Sequence, residues 1–171
     1  ESRVNFRKGI ERAFQEARTI AKLLDVQDAV DIFIANDTLY IVMEYINGET
    51  LHQRMERQGG KIEPHQLLEQ MRPIFLALRQ IHSHNIIHRD ISPDNIMFRN
   101  ENGRAVLLDF GAAHNYGTDV ASPHSTSLRP GYAPVEQYSN HGVQDARTDE
   151  YALCATLYYA ITGQKPCPSL E

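Results

Sequence analysis

The sequence predicts an α+β fold, because strand-like and helix-like segments occur in separate blocks along its 171 residues. Two pairs of short segments rich in β-branched and aromatic residues are each joined by turn-forming residues, which is typical of antiparallel hairpins. Other segments repeat apolar residues at helical spacing or are apolar throughout. The hydrophobic content of 42% is high enough for a packed core and argues against disorder.

The overall composition excludes several classes of protein. The length suits one domain, or one and a part. A net charge of -5 gives no support for nucleic-acid binding, which usually needs a basic face. No apolar run approaches the roughly 20 residues of a membrane span. Cys154 and Cys167 lack metal or redox spacing, so we expect reduced thiols in a cytoplasmic protein.

The N-terminal third is predicted to contain a helix, a hairpin and a second, shorter helix. Residues 10–24 place apolar side chains on one face of a helix. Residues 29–35 (AVDIFIA) and 38–45 (TLYIVMEY) flank a turn and predict an antiparallel hairpin. Residues 46–60 predict a turn followed by a short helix that ends at two glycines.

The remaining elements are a long helix, a second hairpin, a loop and a final helix. Residues 64–84 carry a broad apolar stripe, with Pro64 suited to the first turn and Pro73 expected to kink the helix or remove a hydrogen bond. Residues 96–110 predict two strands around an Asn-Gly turn. Residues 111–145 predict a long irregular loop. Residues 149–161 are apolar on nearly every side, which indicates a buried helix.

Charged and amide side chains cluster between two apolar runs in the stretch IIHRDISPDNIMF, residues 86–98. Asp90 and Asn95 lie there, and Asp109 closes a later predicted strand. Mg²⁺ prefers hard oxygen ligands and needs few from the protein when phosphate supplies the others. Asn95 and Asp109 could supply those ligands, which leaves Asp90 to take a proton from a hydroxyl as general base.

These residues also carry a resemblance to protein kinases. HRDISPDN resembles the kinase catalytic loop, and the later DFG resembles the metal-binding motif. FQEARTIAKL, YIVMEYINGETL, RPGYAPVEQY and TDEYALCATLYYAITGQKP resemble further kinase segments in the same order, in a style closest to bacterial Ser/Thr kinases. The resemblance implies a partial two-lobe kinase fold. Residues 1–46 would belong to the small lobe and residues 47–171 to the large lobe.

The resemblance implies a set of residues for phosphoryl transfer from ATP with Mg²⁺ to a protein substrate. Asp90 would be the base, while Asn95 and Asp109 would bind Mg²⁺. Arg89 would receive a phosphate from the activation segment. Glu16 would be the glutamate of the ion pair that positions the ATP phosphates.

The resemblance also implies residues that surround the nucleotide. Met43 would be the gatekeeper at the back of the site. The backbone of Glu44 and Ile46 would bind adenine. Met97 would pack under the adenine ring, and Glu49 would lie near the ribose.

Three histidines, His82, His84 and His88, could suggest a zinc site. We favour structural roles instead, because cations suit the C-terminal end of the helix that precedes them. By the resemblance, His88 and Phe110 would stack with Ile20 in the hydrophobic core, and Asp149 would anchor the catalytic loop.

The chain departs from the kinase pattern in four places. No glycine-rich loop and no phosphate-binding lysine precede Glu16, so we expect the chain to begin after those parts, or to lack them, and to end before the last helices of the large lobe. Ser92 stands where Ser/Thr kinases carry a lysine in the catalytic loop. Arg129 stands where these kinases carry a threonine that contacts that lysine, and the two changes leave the preference for Ser/Thr over Tyr open.

Two further function classes stay open. One is a non-catalytic kinase-like module that binds partners, and the other is a small-molecule phosphotransferase, although Arg89 and Gly111 favour a protein substrate. We expect residues 1–171 alone to be inactive and to self-associate through the apolar face of residues 149–161. A phosphorylation site also stays open among the hydroxyl residues of the loop, Ser122, Ser125, Thr126 and Ser127.

Overall fold

The computed structural model describes residues 29–36, 38–110, 114–115, 128–139 and 142–170. In these residues, antiparallel strands and three α-helices occur in separate blocks, which confirms the α+β prediction. The helix predicted over residues 10–24 lies outside the described residues.

The first hairpin has the predicted position. Strand β1 (Ala29–Ala35) pairs antiparallel with strand β2 (Thr38–Met43), and the register shifts near the start of β1. Phe33 and Tyr40 are direct cross-strand partners whose rings stack with their centroids 5.2 Å apart. Such aromatic pairs stabilise a sheet beyond the area that they bury.

A three-stranded antiparallel sheet follows the first hairpin in the chain. Strand β3 (Gly48–Thr50) lies beside β5 (Ile96–Arg99), which lies beside β6 (Ala105–Leu107), all antiparallel. The β5–β6 pair is the hairpin predicted around the Asn-Gly turn. β3 carries a glycine because a Cβ at Gly48 would collide with the carbonyl oxygen of Phe98.

Helix α1 (Leu51–Arg57) begins directly after β3. The Thr50 hydroxyl accepts a hydrogen bond from the Gln53 N–H at 3.1 Å, and the Gln53 side chain accepts one from the Thr50 N–H at 2.8 Å. This reciprocal capping box fixes the start of the helix. The helix is followed by the predicted Gly-Gly stop at residues 59–60, where both glycines have positive φ.

Helix α2 (Pro64–Ser83) confirms the predicted long helix. The Glu63 carboxylate accepts hydrogen bonds from the first turn, and Pro64 occupies that turn, where a missing N–H costs nothing. Pro73 lies inside the helix, which continues past it. The buried face consists of Leu67, Met71, Ile74, Ala77, Leu78 and Ile81.

Helix α3 (Ala146–Thr162) is longer than the helix predicted over residues 149–161. It begins at the Asp145 cap and ends where Gly163 adopts a left-handed conformation with φ 72°. One face packs in the core with α2, while Tyr151 and Tyr158 on the other face are 40% and 48% exposed. The helix is therefore buried on one face within the described chain.

The segment from residue 111 to 145 was predicted to be irregular, and this was wrong for two short parts. Strand β7 (His114–Asn115) pairs antiparallel with β4 (Ile86–Ile87), whose backbone groups need hydrogen-bond partners in the core. A 3-10 helix spans Val135–Tyr138, after Pro134.

Gly131 fixes the position of the segment that precedes the 3-10 helix. It has φ 91°, and a Cβ there would lie 2.6 Å from the carbonyl oxygen of Pro166. The chain after α3 thus contacts this segment at backbone distance. Among the described residues, no helix has the length and apolar character needed to cross a membrane.

Candidate active site

A buried carboxylate on α3 supports the loop between β4 and β5. Asp149 is fully buried and accepts hydrogen bonds from the backbone N–H groups of His88 and Arg89, each at 2.8 Å. The Nε2 atom of His82 lies 2.8 Å from the same carboxylate. Asp149 therefore anchors the start of this loop, as the resemblance implied.

Arg89 occupies an unusual conformation in this loop. Its φ of 72° is left-handed, which costs a non-glycine residue roughly 1–2 kcal/mol. Its carbonyl oxygen accepts a hydrogen bond of 2.9 Å from the buried Gln137 side chain. The Arg89 guanidinium is largely buried, and this burial lowers the pKa of Arg89. Its Nε atom has no hydrogen-bond partner.

His88 lies in the core in its neutral form. Its Nδ1 atom accepts the Asp90 N–H at 3.3 Å, so its Nε2–H donates to the Leu108 carbonyl oxygen at 2.9 Å. Its ring meets Phe110 edge-on at 4.7 Å, which agrees with that part of the predicted stack, while Ile20 lies outside the described residues. Complete burial lowers the His88 pKa, against smaller opposing effects of nearby carboxylates that include Asp149, Asp90 and Asp109.

The Asp90 side chain is held from two sides and is 12% exposed. The Asn95 Nδ2 group donates to the Asp90 carbonyl oxygen at 2.7 Å and to its Oδ2 atom at 2.9 Å. The Arg129 Nε atom lies 2.8 Å from Asp90 Oδ1, as an ion pair rather than an aligned hydrogen bond. These contacts fix the direction of the carboxylate that was predicted to be the base.

Asn95 and Asp109 lie at the same end of the β5–β6 hairpin. The Asn95 carbonyl oxygen accepts the Leu108 N–H at 2.8 Å, which places Asp109 directly after a residue bonded to Asn95. Asp109 is exposed and has a left-handed φ of 58°. Both N–H groups of the Asn95 amide serve Asp90, so its amide oxygen points elsewhere and can act as a ligand.

This pair fits Mg²⁺ better than a metal held by protein side chains alone. The described part of the chain has no group of three or more His, Cys, Asp or Glu residues that could hold a metal. One carboxylate and one amide oxygen suit Mg²⁺, which keeps waters and takes further ligands from phosphate. The three histidines considered for zinc each have a structural partner. His82 contacts Asp149, His88 contacts the Leu108 carbonyl oxygen, and His84 caps α2 with its Nδ1 2.9 Å from the Gln80 carbonyl oxygen.

The segment predicted to bind adenine, residues 44–46, follows β2 directly. Residues 44–47 have no regular secondary structure, and Ile46 is buried. Among the described residues, the backbone groups of Ile46 have no hydrogen-bond partner, so they are available to a ligand. Met43 ends β2 and is half-buried. Glu44 forms a bidentate ion pair with Arg99 of β5, with one N–O distance of 2.7 Å.

Met97 and Glu49 lie on neighbouring strands. Met97 is half-buried on the face of β5 opposite to Ile96 and Phe98, which are buried. The Glu49 carboxylate contacts Arg54 Nε at 2.7 Å and Arg57 Nη2 at 2.8 Å. Hydrogen bonds from Arg57, supported by those from Arg54, lower the Glu49 pKa to about 2. The structure thus places Glu49 in a cluster with two arginines, and its role near ribose stays a prediction.

Some site features fall outside the predictions from sequence. The ion pair of Arg129 with Asp90 was not predicted, although the sequence had singled out Asp90 as the base and Arg129 as a departure from the kinase pattern. The Glu136 carboxylate accepts a hydrogen bond of 2.9 Å from Thr148, a contact that the sequence did not predict. Glu16 lies outside the described residues, so its predicted role stays untested.

Comparison with known proteins agrees with this geometry. Residues 3–171 match the family described as the protein kinase domain. Serine/threonine-protein kinase PknA of Nostoc sp. is 38% identical over 78% of this chain and 24% of its own length. Serine/threonine-protein kinase PrkC of Bacillus subtilis is 30% identical over 91% of this chain and 24% of its own length.

A solved structure, described as the apo form of PpkA-294, has a TM-score of 0.70 and 30% sequence identity, and it covers 96% of this chain and 58% of its own chain. This chain spans about a quarter of the length of both PknA and PrkC. Members of the protein kinase family use ATP and Mg²⁺ and act on protein substrates.

Proposed function

This chain belongs to the protein kinase family, and we propose that the protein containing it transfers the γ-phosphoryl group of ATP to Ser or Thr hydroxyl groups of proteins. The observation that carries the proposal is the Asp90 carboxylate, fixed by Asn95 and Arg129 beside the pair of metal-binding candidates. The bacterial Ser/Thr kinases among its relatives support the choice of hydroxyl.

Asp90 is suited to the role of base by its remaining bonding capacity. A carboxylate offers about four lone-pair positions, and the described contacts of Asp90 use two of them. A substrate hydroxyl that donates to the carboxylate would be oriented for attack and would lose its proton to Asp90. Phosphoryl transfer depends mainly on such positioning and on charge stabilisation.

Asn95 and Asp109 would hold Mg²⁺, and the bound ion would neutralise charge on the ATP phosphates. The backbone of Ile46 and Glu44 would bind adenine, Met43 would close the back of the site, and Met97 would pack under the ring. Glu49 would lie near the ribose. The open backbone groups of Ile46 support this placement.

Further parts of the proposal concern the division of the chain and its surroundings. We place the boundary between the small-lobe and large-lobe parts at residues 46 and 47. The substrate is a protein, and Arg89 would receive an activation-segment phosphate, for which its buried and partly unpaired guanidinium is suited. A cytoplasmic location is supported by the two cysteines, Cys154 and Cys167, which are free thiols and exposed.

Substitution of the proposed base is the direct test. In the full-length protein, Asp90→Asn should lower the rate of phosphoryl transfer by roughly 10²–10⁴-fold, because a positioned base contributes that much. The affinity for ATP should change little, since Asp90 acts on the hydroxyl. Radiolabel transfer to a generic protein substrate and ATP titration measure the two quantities.

A matched control is Glu69→Gln, which changes an exposed carboxylate on α2 in the same way. It should leave both quantities unchanged. If Asp90→Asn keeps more than about a tenth of the rate, Asp90 is not the base. If the wild-type protein binds ATP but transfers no phosphoryl group to any protein, a non-catalytic binding module replaces our proposal.

A further inference from the structure

Arg129 connects the activation-segment side of the site to the catalytic loop. Its Nε atom lies 2.8 Å from Asp90 Oδ1, and its Nη1 group donates to Asp94 Oδ2 at 2.9 Å. The Arg129 side chain is 32% exposed, Asp90 is 12% exposed and Asp94 is 57% exposed. One guanidinium thus bridges two carboxylates of the same loop, one of which is nearly buried.

No other cation performs this role among the residues that the structure describes. No other Lys or Arg side chain there comes within 4 Å of the Asp90 or Asp94 carboxylate. Ser92 lies between them in sequence, is fully buried, and its hydroxyl has no hydrogen-bond partner. Arg129 is therefore the single source of positive charge that contacts this pair within the described chain.

The backbone that carries Arg129 is rigidly placed. The Arg129 carbonyl oxygen accepts hydrogen bonds from the N–H groups of Tyr132 and Ala133 at 3.0 and 2.9 Å, which form a tight turn. Gly131 in this turn lies against the Pro166 carbonyl, and the Ser169 hydroxyl donates to the Ala133 carbonyl oxygen at 2.9 Å. A fixed backbone holds a long side chain in place at a lower entropic cost.

Arg129 also lines an open cavity beside the loop. Arg129 and Asp94 line a cavity of about 330 Å³, together with Pro93, Tyr132, Tyr159 and Lys165. This cavity borders the loop that carries Asp90. Arg129 thus contacts the proposed base and also lines this cavity.

From these contacts we infer that Arg129 is a positioning residue for phosphoryl transfer: it holds the Asp90 carboxylate in its reactive orientation and supplies the positive charge that contacts Asp90 and Asp94 within the described residues. The inference rests on the proposed function, since Asp90 acts there as the base. A misplacement of a reacting group by about 1 Å can cost roughly 10²-fold in rate. Arg129 contacts Asp90 rather than the metal-binding candidates, so the effect falls on kcat.

The test compares Arg129→Gln, Arg129→Lys and a control, Arg79→Gln, in the full-length protein. Arg79 is an exposed arginine on α2. Arg129→Gln should lower kcat roughly 10²-fold while the KM for ATP changes less than about threefold. Arg129→Lys, which keeps the charge, should recover about a tenth of the wild-type kcat or more. Arg79→Gln should match the wild type. An unchanged or raised kcat in Arg129→Gln overturns the inference.

A second measurement does not depend on activity. Amide hydrogen exchange in residues 88–95 should become faster in Arg129→Gln, because the bridge to Asp90 and Asp94 is lost, and should stay unchanged in Arg79→Gln. Equal exchange in Arg129→Gln and the wild type contradicts the inference even if the protein is no kinase. A wild type without transfer, in which exchange still depends on Arg129, refutes the proposed function and the catalytic role of Arg129 but retains the bridge.

Discussion

Asp90 in the catalytic loop and Glu49 in β3 are both paired with arginine, but the balance of charge is opposite. Asp90 shares one arginine, Arg129, with Asp94, so two carboxylates face one guanidinium. Glu49 faces two guanidinium groups from α1. The first arrangement leaves excess negative charge beside a site predicted for Mg²⁺. The second saturates the carboxylate and strongly lowers its pKa.

The two regions also differ in how their backbones are supported. Glu49 lies at a regular junction of strand and helix, closed by the capping box of Thr50. Asp90 follows Arg89, whose backbone is left-handed and depends on the buried carboxylate of Asp149. The comparison teaches that the carboxylate with remaining bonding capacity depends on a buried support, whereas the saturated one is held by its own neighbours.

Removing that buried support should have the largest effect. Asp149→Asn replaces an oxygen acceptor with an NH₂ group that cannot accept the loop N–H bonds. Losing partners for buried donors should lower the free energy of unfolding by about 3 kcal/mol. Chemical denaturation measures this loss, with Glu69→Gln, an exposed carboxylate on α2, as a surface comparison. A loss below about 1 kcal/mol would mean that the loop N–H groups find other partners.

The metal-binding role of Asp109 is the next test of the comparison. Asp109→Ala should weaken ATP binding roughly tenfold or more in the presence of Mg²⁺, about 1.4 kcal/mol, and have little effect without it. Glu49→Gln should show no such dependence on Mg²⁺, because Glu49 is bound by arginines. ATP titration with and without Mg²⁺ separates the two. Equal losses in both conditions would assign Asp109 a structural role.

The pH dependence of stability should reveal the saturated carboxylate. The Glu49 pKa is about 2 in the folded chain, below the ordinary value of 4.5. Its stabilising effect is thus complete above pH 4.5 and is lost as the pH falls through 2. At pH 7, Glu49→Gln should cost about 1 kcal/mol, since the arginines are partly exposed. Unfolding measured from pH 7 to pH 3 should show the gap between variant and wild type closing. A gap that is constant with pH would contradict the assignment.

The smallest effect should come from the outer arginine of that cluster. Arg57 is 61% exposed, so Arg57→Gln should lower the free energy of unfolding only slightly. Arg54 is 13% exposed, also bonds Gln70, and covers the Phe98 ring at 3.8 Å. Arg54→Gln should therefore cost more. Thermal unfolding at low and high salt compares the two, and an equal loss would show that exposure does not govern this cluster.

Local pattern was sufficient for much of the fold and for part of the site. The hairpins, α2 and the loop with Asp90 and Asn95 depend on residues close together in sequence. The Arg129–Asp90 pair joins residues 39 positions apart, and the position of residue 129 depends on the turn at Gly131 and its contact with Pro166. No local pattern carries that information.

The short β7 strand was missed for a similar reason. Its residues, His114 and Asn115, have no strand-like pattern of their own, and pairing depends on the unpaired edge of β4. The Glu136–Thr148 hydrogen bond likewise joins the 3-10 helix to α3. Only the packing of these two elements reveals this contact.

The turn at Gly131 has a consequence for how this part of the chain can vary. Any L-residue at 131 meets two separate obstacles, the left-handed φ and the Pro166 carbonyl oxygen 2.6 Å from its Cβ. A smaller side chain relieves neither, because both begin at the first carbon. In a saturation scan, every substitution of Gly131 should therefore be disfavoured whatever the size of the new side chain. At residue 129, tolerance should depend on the charge of the side chain. Sequence divergence near the site should therefore occur at positions such as 129, where only the side chain changes, and not at residue 131, which sets the backbone.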